Sequence, residues 1–502
     1  MAAKSPLMEQ YKSIKNEHKD AFLFYRLGDF YELFYDDAVT VSHELELTLT
    51  GKNAGPEGRV PMCGIPYHAA ETYIYRLVQK GYKVAICEQM EDPKKAKGLV
   101  KRDVIRIVTP GTILFENSIA DKSNNYLAYL YETDNDIDAV LADISTGECW
   151  WGIWDKKKER EAFFDMLSVY APTEAVCSLS DNFYGRLEAY CRARLGGCLL
   201  TRRREEGEYP VPHVAEALGD ENIRRVFAWL AAYLKEMMKA DAAEFHTVMP
   251  IREEDCLLLG EDCLRNLEIT RNMRDGGRRG TLLEILDHTH TAMGARLLRR
   301  WLERPLTDVN RIIQRQDGIE ELTGHTTELS QLEEMLEHVF DFERILTRIE
   351  ANTTSPKDLL ALKASLGMIP EIKKLLSGTV SIVLRKLSDQ MDIHSTVYEL
   401  LNRSMNENGT GNIRDGKYIK EGYSAELDEV RSLSENSRKW IADLEEREKE
   451  KTGIKLKIGF NNVFGYYFEI TNANKVPIPE YYMRKQTLVN AERYITPELK
   501  EF

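Results

Sequence analysis

The feature that most limits how this chain can fold is a change of hydrophobic period near residue 256. Before it, short apolar runs such as "AFLFYRLGDF" (21–30), "YKVAICEQM" (82–90) and "NNYLAYLYE" (124–132) read as strands set between helical stretches. After it, "CLRNLEITRNMR", "TAMGARLLRRWLERPL", "DVNRIIQRQDGIEEL" and "FDFERILTRIEA" keep apolar residues at helical spacing, and alternation returns only near residue 454. A strand buries every second residue and a helix buries one stripe, so the two textures build different layers. At 502 residues the chain is also too long for one core. The pattern predicts a multidomain protein, α/β at first and then all-α.

Residues 7–20 read as a helix, and "AFLFYRLGDF" as a strand that leads into the helix "LFYDDAVTVSHEL". A loop dense in Gly and Pro, "GKNAGPEGRVPMCGIPYHAA", carries Met62, Tyr67 and His68. The helix "AETYIYRLVQKG" ends on Gly81, a good C-terminal stop. Two strands follow, joined by the basic run "KKAKGLVKR" (94–102), read as an exposed hairpin or loop. A second α/β unit runs to about 250. Residues 421–451 read as one charged helix with sparse apolar positions Leu427, Val430, Ile441 and Leu444, an exposed arm. Beyond it Ile454, Leu456, Ile458 and Phe460 alternate with Lys455, Lys457 and Gly459, a strand with one lysine-bearing face, and Asn461-Asn462 reads as the turn into the next strand.

Composition excludes several classes. No window reaches the roughly 20 apolar residues of a membrane span, and "MAAKSPLMEQ" has no signal core, so a cytosolic location is expected. The eight cysteines form no two-residue pair of the zinc or redox type, and reduced thiols are expected. Net charge is −14, but residues 1–115 carry 16 basic and 15 acidic side chains and residues 452–502 carry 7 and 5. The acidity lies between, in 116–451. Any contact with a polyanion is therefore expected at the two ends.

Three motifs invite chemistry. "GNIRDGKY" (411–418) nearly satisfies the phosphate-loop pattern, but Tyr418 stands where Ser or Thr would hold magnesium and no apolar strand precedes it. "LADISTGE" (141–148) sets Asp143 at a strand end before a tight turn, where nucleases of the ribonuclease-H type place a metal-binding Asp; a turn-capping role suits a single carboxylate better. "GDFYELF" (28–34) is the third. On a strand Phe30 and Glu32 share a face with Tyr31 opposite. An exposed ring can wedge into a weakened base step and a carboxylate can accept a bond from a base edge. Taken alone, these residues favour ordinary core packing over a wedge.

"GDFYELF" resembles the Phe-x-Glu motif of the MutS family of DNA mismatch-repair proteins. The same family is matched in order by "PMCGIPYHA" (61–69), "VAICEQMEDP" (84–93), "VIRIVTPGT" (104–112), "DISTGE" (143–148), "MGARLLRRWLERPL" (293–306), "RQDGIEEL" (315–322), "IRDGKY" (413–418), "VFGYYFEIT" (463–471) and "QTLVNAERYITPELKEF" (486–502). The resemblance covers essentially the whole chain. It implies a small mixed α/β mismatch-recognition domain (1–115), a ribonuclease-H-like connector (122–250), a helical core or lever domain (256–436), a small β clamp at its tip (437–496) and the start of a returning lever helix (497–502).

By the same resemblance Phe30 is the wedge, Glu32 bonds the mispaired base, and Met62, Tyr67 and His68 lie along the minor groove. Arg484, Lys485 and Asn490 are clamp contacts to the DNA backbone, with Lys455 and Lys457 as further candidates. The implied partners are duplex DNA with mismatches or small loops, a second copy in a homodimer, and downstream repair proteins. The implied location is the cytoplasm, with the nucleoid. Family members continue into an ATPase domain that uses ATP and Mg2+, so this chain, ending at Phe502, is expected to lack catalytic residues, cofactor and metal of its own. Two alternatives stay open: an architectural binder of distorted DNA, and a metal-dependent nuclease centred on the connector.

Overall fold

The computed structural model describes residues 5–55, 58–91, 98–114, 122–204, 207–239, 245–251, 256–257, 259–409, 417–461 and 465–501. They form two compact units, Met1–Leu401 and Asn402–Phe502. Most of "GNIRDGKY", much of the basic run at 94–102 and Asn462 lie outside the described residues.

In the first unit, α1 (Pro6–Glu17) leads into β1 (Ala21–Leu27) and β2 (Phe30–Phe34). "AFLFYRLGDF" is thus two strands and not one. Gly28 takes φ +59, a conformation that costs a Cβ-bearing residue about 1–2 kcal/mol, and the chain reverses across Gly28-Asp29. After α2 (Tyr35–Leu45) come β3 (Thr50–Asn53), β4 (Arg59–Pro66), α3 (Ala70–Gln79), β5 (Lys83–Gln89) and β6 (Arg102–Val108). The sheet order is β3-β4-β2-β1-β5-β6. Only the β1–β5 pair is parallel; the other pairs are antiparallel. One face buries Phe24, Tyr31 and Leu33 with the apolar residues of α2 and α3. The other packs Leu23, Tyr25 and Phe34 against Met8 and Tyr11 of α1.

The second sheet combines β7 (Leu127–Glu132), β8 (Asp136–Asp143), β9 (Glu148–Asp155), β10 (Glu174–Ser178), β11 (Leu199–Arg202) and β12 (Thr247–Pro250) in the order β11-β10-β7-β8-β9-β12. The neighbours β7, β8 and β9 form an antiparallel meander, while β10, β11 and β12 join in parallel. α4 (Arg160–Tyr170) and α5 (Asp181–Tyr190) cover one face, and α6 (Glu221–Met238) covers the other, burying the apolar run "VFAWLAAYL". Among the described residues no helix is long and apolar enough to cross a membrane.

The helical texture becomes α7 (Glu261–Asn266), α8 (Leu282–Leu286), α9 (Ala292–Glu303), α10 (Val309–Gly324), α11 (Thr326–Glu337), α12 (Phe342–Glu350), α13 (Pro356–Ser377), α14 (Ile382–Gln390) and α15 (Ser395–Ser404). Caps start them where the chain must turn. Thr291 accepts from Gly294 at the head of α9, and Ser355 with Asp358 forms a capping box on α13.

In the second unit α16 (Ala425–Thr452) is capped by Ser424 and stopped by Gly453 at φ +68. It runs unbroken through position 437. Leu444 is buried while Val430 is exposed, as an arm covered along part of its length requires. β13 (Leu456–Asn461), β14 (Gly465–Thr471), β15 (Met483–Thr487) and β16 (Ala491–Ile495) form an antiparallel sheet ordered β13-β14-β16-β15, followed by α17 (Pro497–Glu501). Its core is Leu444, Ile454, Leu456, Phe468, Ile470, Tyr482, Tyr494 and Leu499. Phe460 departs from the expected inward alternation: it is exposed and meets Tyr466 edge-on at 5.0 Å. The strand has run past the end of that core.

Candidate nucleic-acid interface

The reversal at Gly28-Asp29 pairs Leu27 with Phe30, Arg26 with Tyr31 and Tyr25 with Glu32. Alternation then divides the strand. Tyr31 and Leu33 are buried, 7% and 0% exposed, whereas Phe30 is 45% exposed. Tyr31 donates to Glu88, and its hydroxyl pKa is driven up by burial and by that carboxylate. Phe30 and Glu32 lie opposite Pro66 and Gly64 of β4. A Cβ on Gly64 would lie 3.5 Å from the Phe30 ring and 3.9 Å from Glu32 Cγ, so ring and carboxylate sit side by side over that glycine.

The Glu32 carboxylate is not bare. Lys52 Nζ donates to its Oε2 at 2.7 Å, and the same ammonium lies 5.4 Å from the centre of the Phe34 ring. Lys52 stands on β3, two strands away across β4.

The backbone N–H of Tyr67 donates to Asp29 C=O at 3.0 Å, which ties the hairpin turn to the end of β4. The Arg26 guanidinium stacks over the Tyr67 ring at 3.9 Å, and His68 meets that ring edge-on at 5.7 Å. Phe30, Glu32, Tyr67 and His68 are thereby gathered at one end of the sheet. Met62 is not: opposite Phe34, it packs against the core beneath α1. Arg26 and Lys52 were absent from the sequence reading. Lys52 carries a faint signal, a lysine at the far end of a short "TGKN" strand, but its partner is fixed only by strand order.

In the second unit the five clamp candidates are all exposed. Arg484 Nη1 reaches Glu492 at 3.1 Å. Lys485 sits at an irregularity in the β15–β16 pairing between Arg484 and Gln486. Asn490 lies in the β15–β16 connection, where its C=O accepts from Asn472 N–H at 3.0 Å. Lys457 pairs across to Glu469, which holds Arg493 at 3.0 Å while Arg493 stacks over Tyr467 at 4.4 Å. The lysine-bearing face is therefore partly neutralised at its centre. Lys455, just before β13, and Lys485 on β15 have no carboxylate partner among the described residues.

Asp143 spends its carboxylate inside the fold. Oδ1 accepts from Ser145 N–H and Oγ, and Oδ2 from Asn124 Nδ2 and Asn125 N–H, at 2.7–3.1 Å. It is a turn cap.

Residues 5–117 match MutS domain I, residues 262–457 match MutS domain III, and residues 422–502 match MutS family domain IV. The chain belongs to the MutS family. The DNA mismatch repair protein MutS of Caldanaerobacter subterraneus subsp. tengcongensis is 42% identical over 512 residues, spanning 99% of this chain and 58% of that relative. Those of Bacillus subtilis (strain 168) and Listeria monocytogenes serovar 1/2a are each 42% identical, with 100% of this chain and 58% of the relative covered. The chain thus spans about 58% of the length of these MutS relatives. Phe30, Glu32, Tyr67 and His68 fall within the MutS domain I match, and Arg484, Lys485 and Asn490 within the domain IV match.

Proposed function

We propose that this chain recognises mismatched and small-loop duplex DNA in mismatch repair, with Phe30 as the wedge and Glu32 as the acceptor of a base-edge hydrogen bond. One observation carries the reading: a half-exposed aromatic ring and a lysine-held carboxylate lie side by side on one sheet face. A soluble core gains nothing from leaving that ring in water, whereas unstacking a weakened base step requires an accessible ring. Tyr67 and His68, beside Phe30 at the end of β4, extend the face along a groove, while Arg26 backs Tyr67 from the Tyr31 side of the sheet and Met62 packs farther along β4 against the core.

The second sheet is read as the ribonuclease-H-like connector, the helices as the lever, and the sheet of the second unit as the clamp. In the clamp Lys485, Lys455, Arg484 and Asn490 neutralise or bond phosphates without reading sequence. The saturated Asp143 carboxylate speaks against a nuclease centred on the connector. Tyr418 does not suit a magnesium ligand: it is buried, and its C=O accepts from Asn406 N–H at 2.8 Å. ATP with Mg2+, homodimerisation and downstream repair partners belong, on this reading, to the longer proteins of the family, acting in the cytoplasm at the nucleoid.

The test is fluorescence anisotropy of the intact protein on a G·T-mismatched duplex and its matched counterpart. Stacking of one aromatic ring on a base is worth about 1–3 kcal/mol, so Phe30→Ala should cut mismatch affinity at least about fivefold while matched-duplex affinity stays within about twofold. Undiminished mismatch preference in Phe30→Ala would falsify the wedge.

A further inference from the structure

Where α9 meets the second sheet, a cavity of about 220 Å³ is lined by Arg271, Arg299, Arg300, Glu303, Arg304 and Tyr170, among others. Two of its guanidinium groups are neutralised: Arg299 Nε donates to Glu303 at 2.9 Å, and Arg300 Nη2 to Glu148 at 2.6 Å. A third, on Arg296, is held by Asp341 and Glu343. Arg304 and Arg271 differ. Among the described residues neither has a carboxylate within ion-pair distance.

Arg304 is 7% exposed. Its guanidinium lies against the rings of both Trp150, 4.7 Å away, and Tyr170, 4.8 Å away. Nη2 donates to the Tyr170 hydroxyl, and Nη1 is buried without any hydrogen-bond partner. Burial lowers the pKa of this group to about 10. A buried cation with an unmade bond is costly unless a counter-charge meets it. With five guanidiniums met by four carboxylates, the cavity holds one positive charge in excess.

We propose that this cavity is a binding site for a small phosphate-type oxyanion, held by Arg304 Nη1 from within and Arg271 at the mouth. The aromatic rings fix the Arg304 plane and so present a preset donor, while Tyr170 and the Glu303 carboxylate limit the depth to which an anion enters. A tetrahedral oxyanion offers acceptors to both guanidiniums at once. Bound there, it would tie α9 to the second sheet through charge and leave the Phe30 face untouched, so the proposal stands apart from mismatch reading.

Scanning fluorimetry of the full chain tests it, with inorganic phosphate, adenosine monophosphate and sodium chloride compared at equal ionic strength. A saturable rise in Tm of about 2–4 °C with phosphate, absent with chloride, is expected. Removing Arg304 threatens the aromatic packing, so the deciding variant is Arg271→Gln, an exposed position whose loss should leave the starting Tm within about 1 °C and abolish the phosphate response. An equal response to phosphate and to adenosine monophosphate identifies the bare phosphate group as ligand, and a response to adenosine monophosphate alone identifies a phosphomonoester; both uphold the site. Shifts with both phosphate and adenosine monophosphate no larger than that of chloride, or a response fully retained in Arg271→Gln, overturn it.

Discussion

Replacing Lys52 by Met asks whether the glutamate of the Phe30 face is tuned by its partner. The ammonium lies 2.7 Å from Glu32 Oε2, with the two side chains 33% and 19% exposed. A pair this accessible contributes only about 0.5–1 kcal/mol to folding after solvent screening, so Lys52→Met should lower Tm by no more than a few degrees. Its effect on DNA is larger. Without the ammonium, a full negative charge faces the duplex; at about 8 Å from a phosphate the repulsion is about 0.5 kcal/mol in water and about 2 kcal/mol at an effective dielectric of about 20. Matched-duplex affinity should therefore fall roughly two- to thirtyfold. A mispaired base that donates to the carboxylate recovers about 1.5–3 kcal/mol, so mismatch affinity should fall less and discrimination should rise. Anisotropy titrations of Lys52→Met, Glu32→Gln and the double variant decide the matter, with matched affinity restored in the double variant. If Lys52→Met weakens both duplexes equally and Glu32→Gln brings no rescue, Lys52 is itself a phosphate contact and the coupling argument is wrong.

Two further expectations concern other parts of the chain. Asp138 is 1% exposed with Oδ2 unpartnered, and burial, aided by Asp220 and Asp136, raises its pKa from 3.8 to about 7. The folded state keeps a proton that the unfolded chain has lost, so stability falls as pH rises from about 4 to 7, by at most about 4 kcal/mol. Asp138→Asn should raise Tm clearly at pH 8 and little at pH 4; an equal gain at both would exclude the titration. In the second unit, Lys485→Ala should weaken matched and mismatched DNA alike and reduce the slope of log affinity against log salt by about 1, whereas an unchanged slope would remove Lys485 from the DNA contacts.

The common face of Phe30 and Glu32 was legible because a strand's period of two is local. It needs no knowledge of neighbours. The same holds for the helical region and for Gly81 as a helix stop, since each depends on the residues' own backbone preference. The alternation could not say which face meets water. That depended on α2 and α3 covering Tyr31 and on nothing described covering Phe30.

Partners distant in the chain were likewise beyond the sequence. Lys52 reaches Glu32 because β4 lies between their strands, and Arg304 reaches Trp150 and Tyr170 because α9 lies against a sheet built more than a hundred residues earlier. Met62 was placed along the minor groove by the family resemblance, yet on β4 it packs against the core. Phe460 was read as inward from a correct alternation, yet its strand outruns the core that would have covered it. Local period thus determined which residues share a face. The packing of elements far apart in sequence decided which faces are dry, which charges are neutralised, and which are left free to meet a ligand.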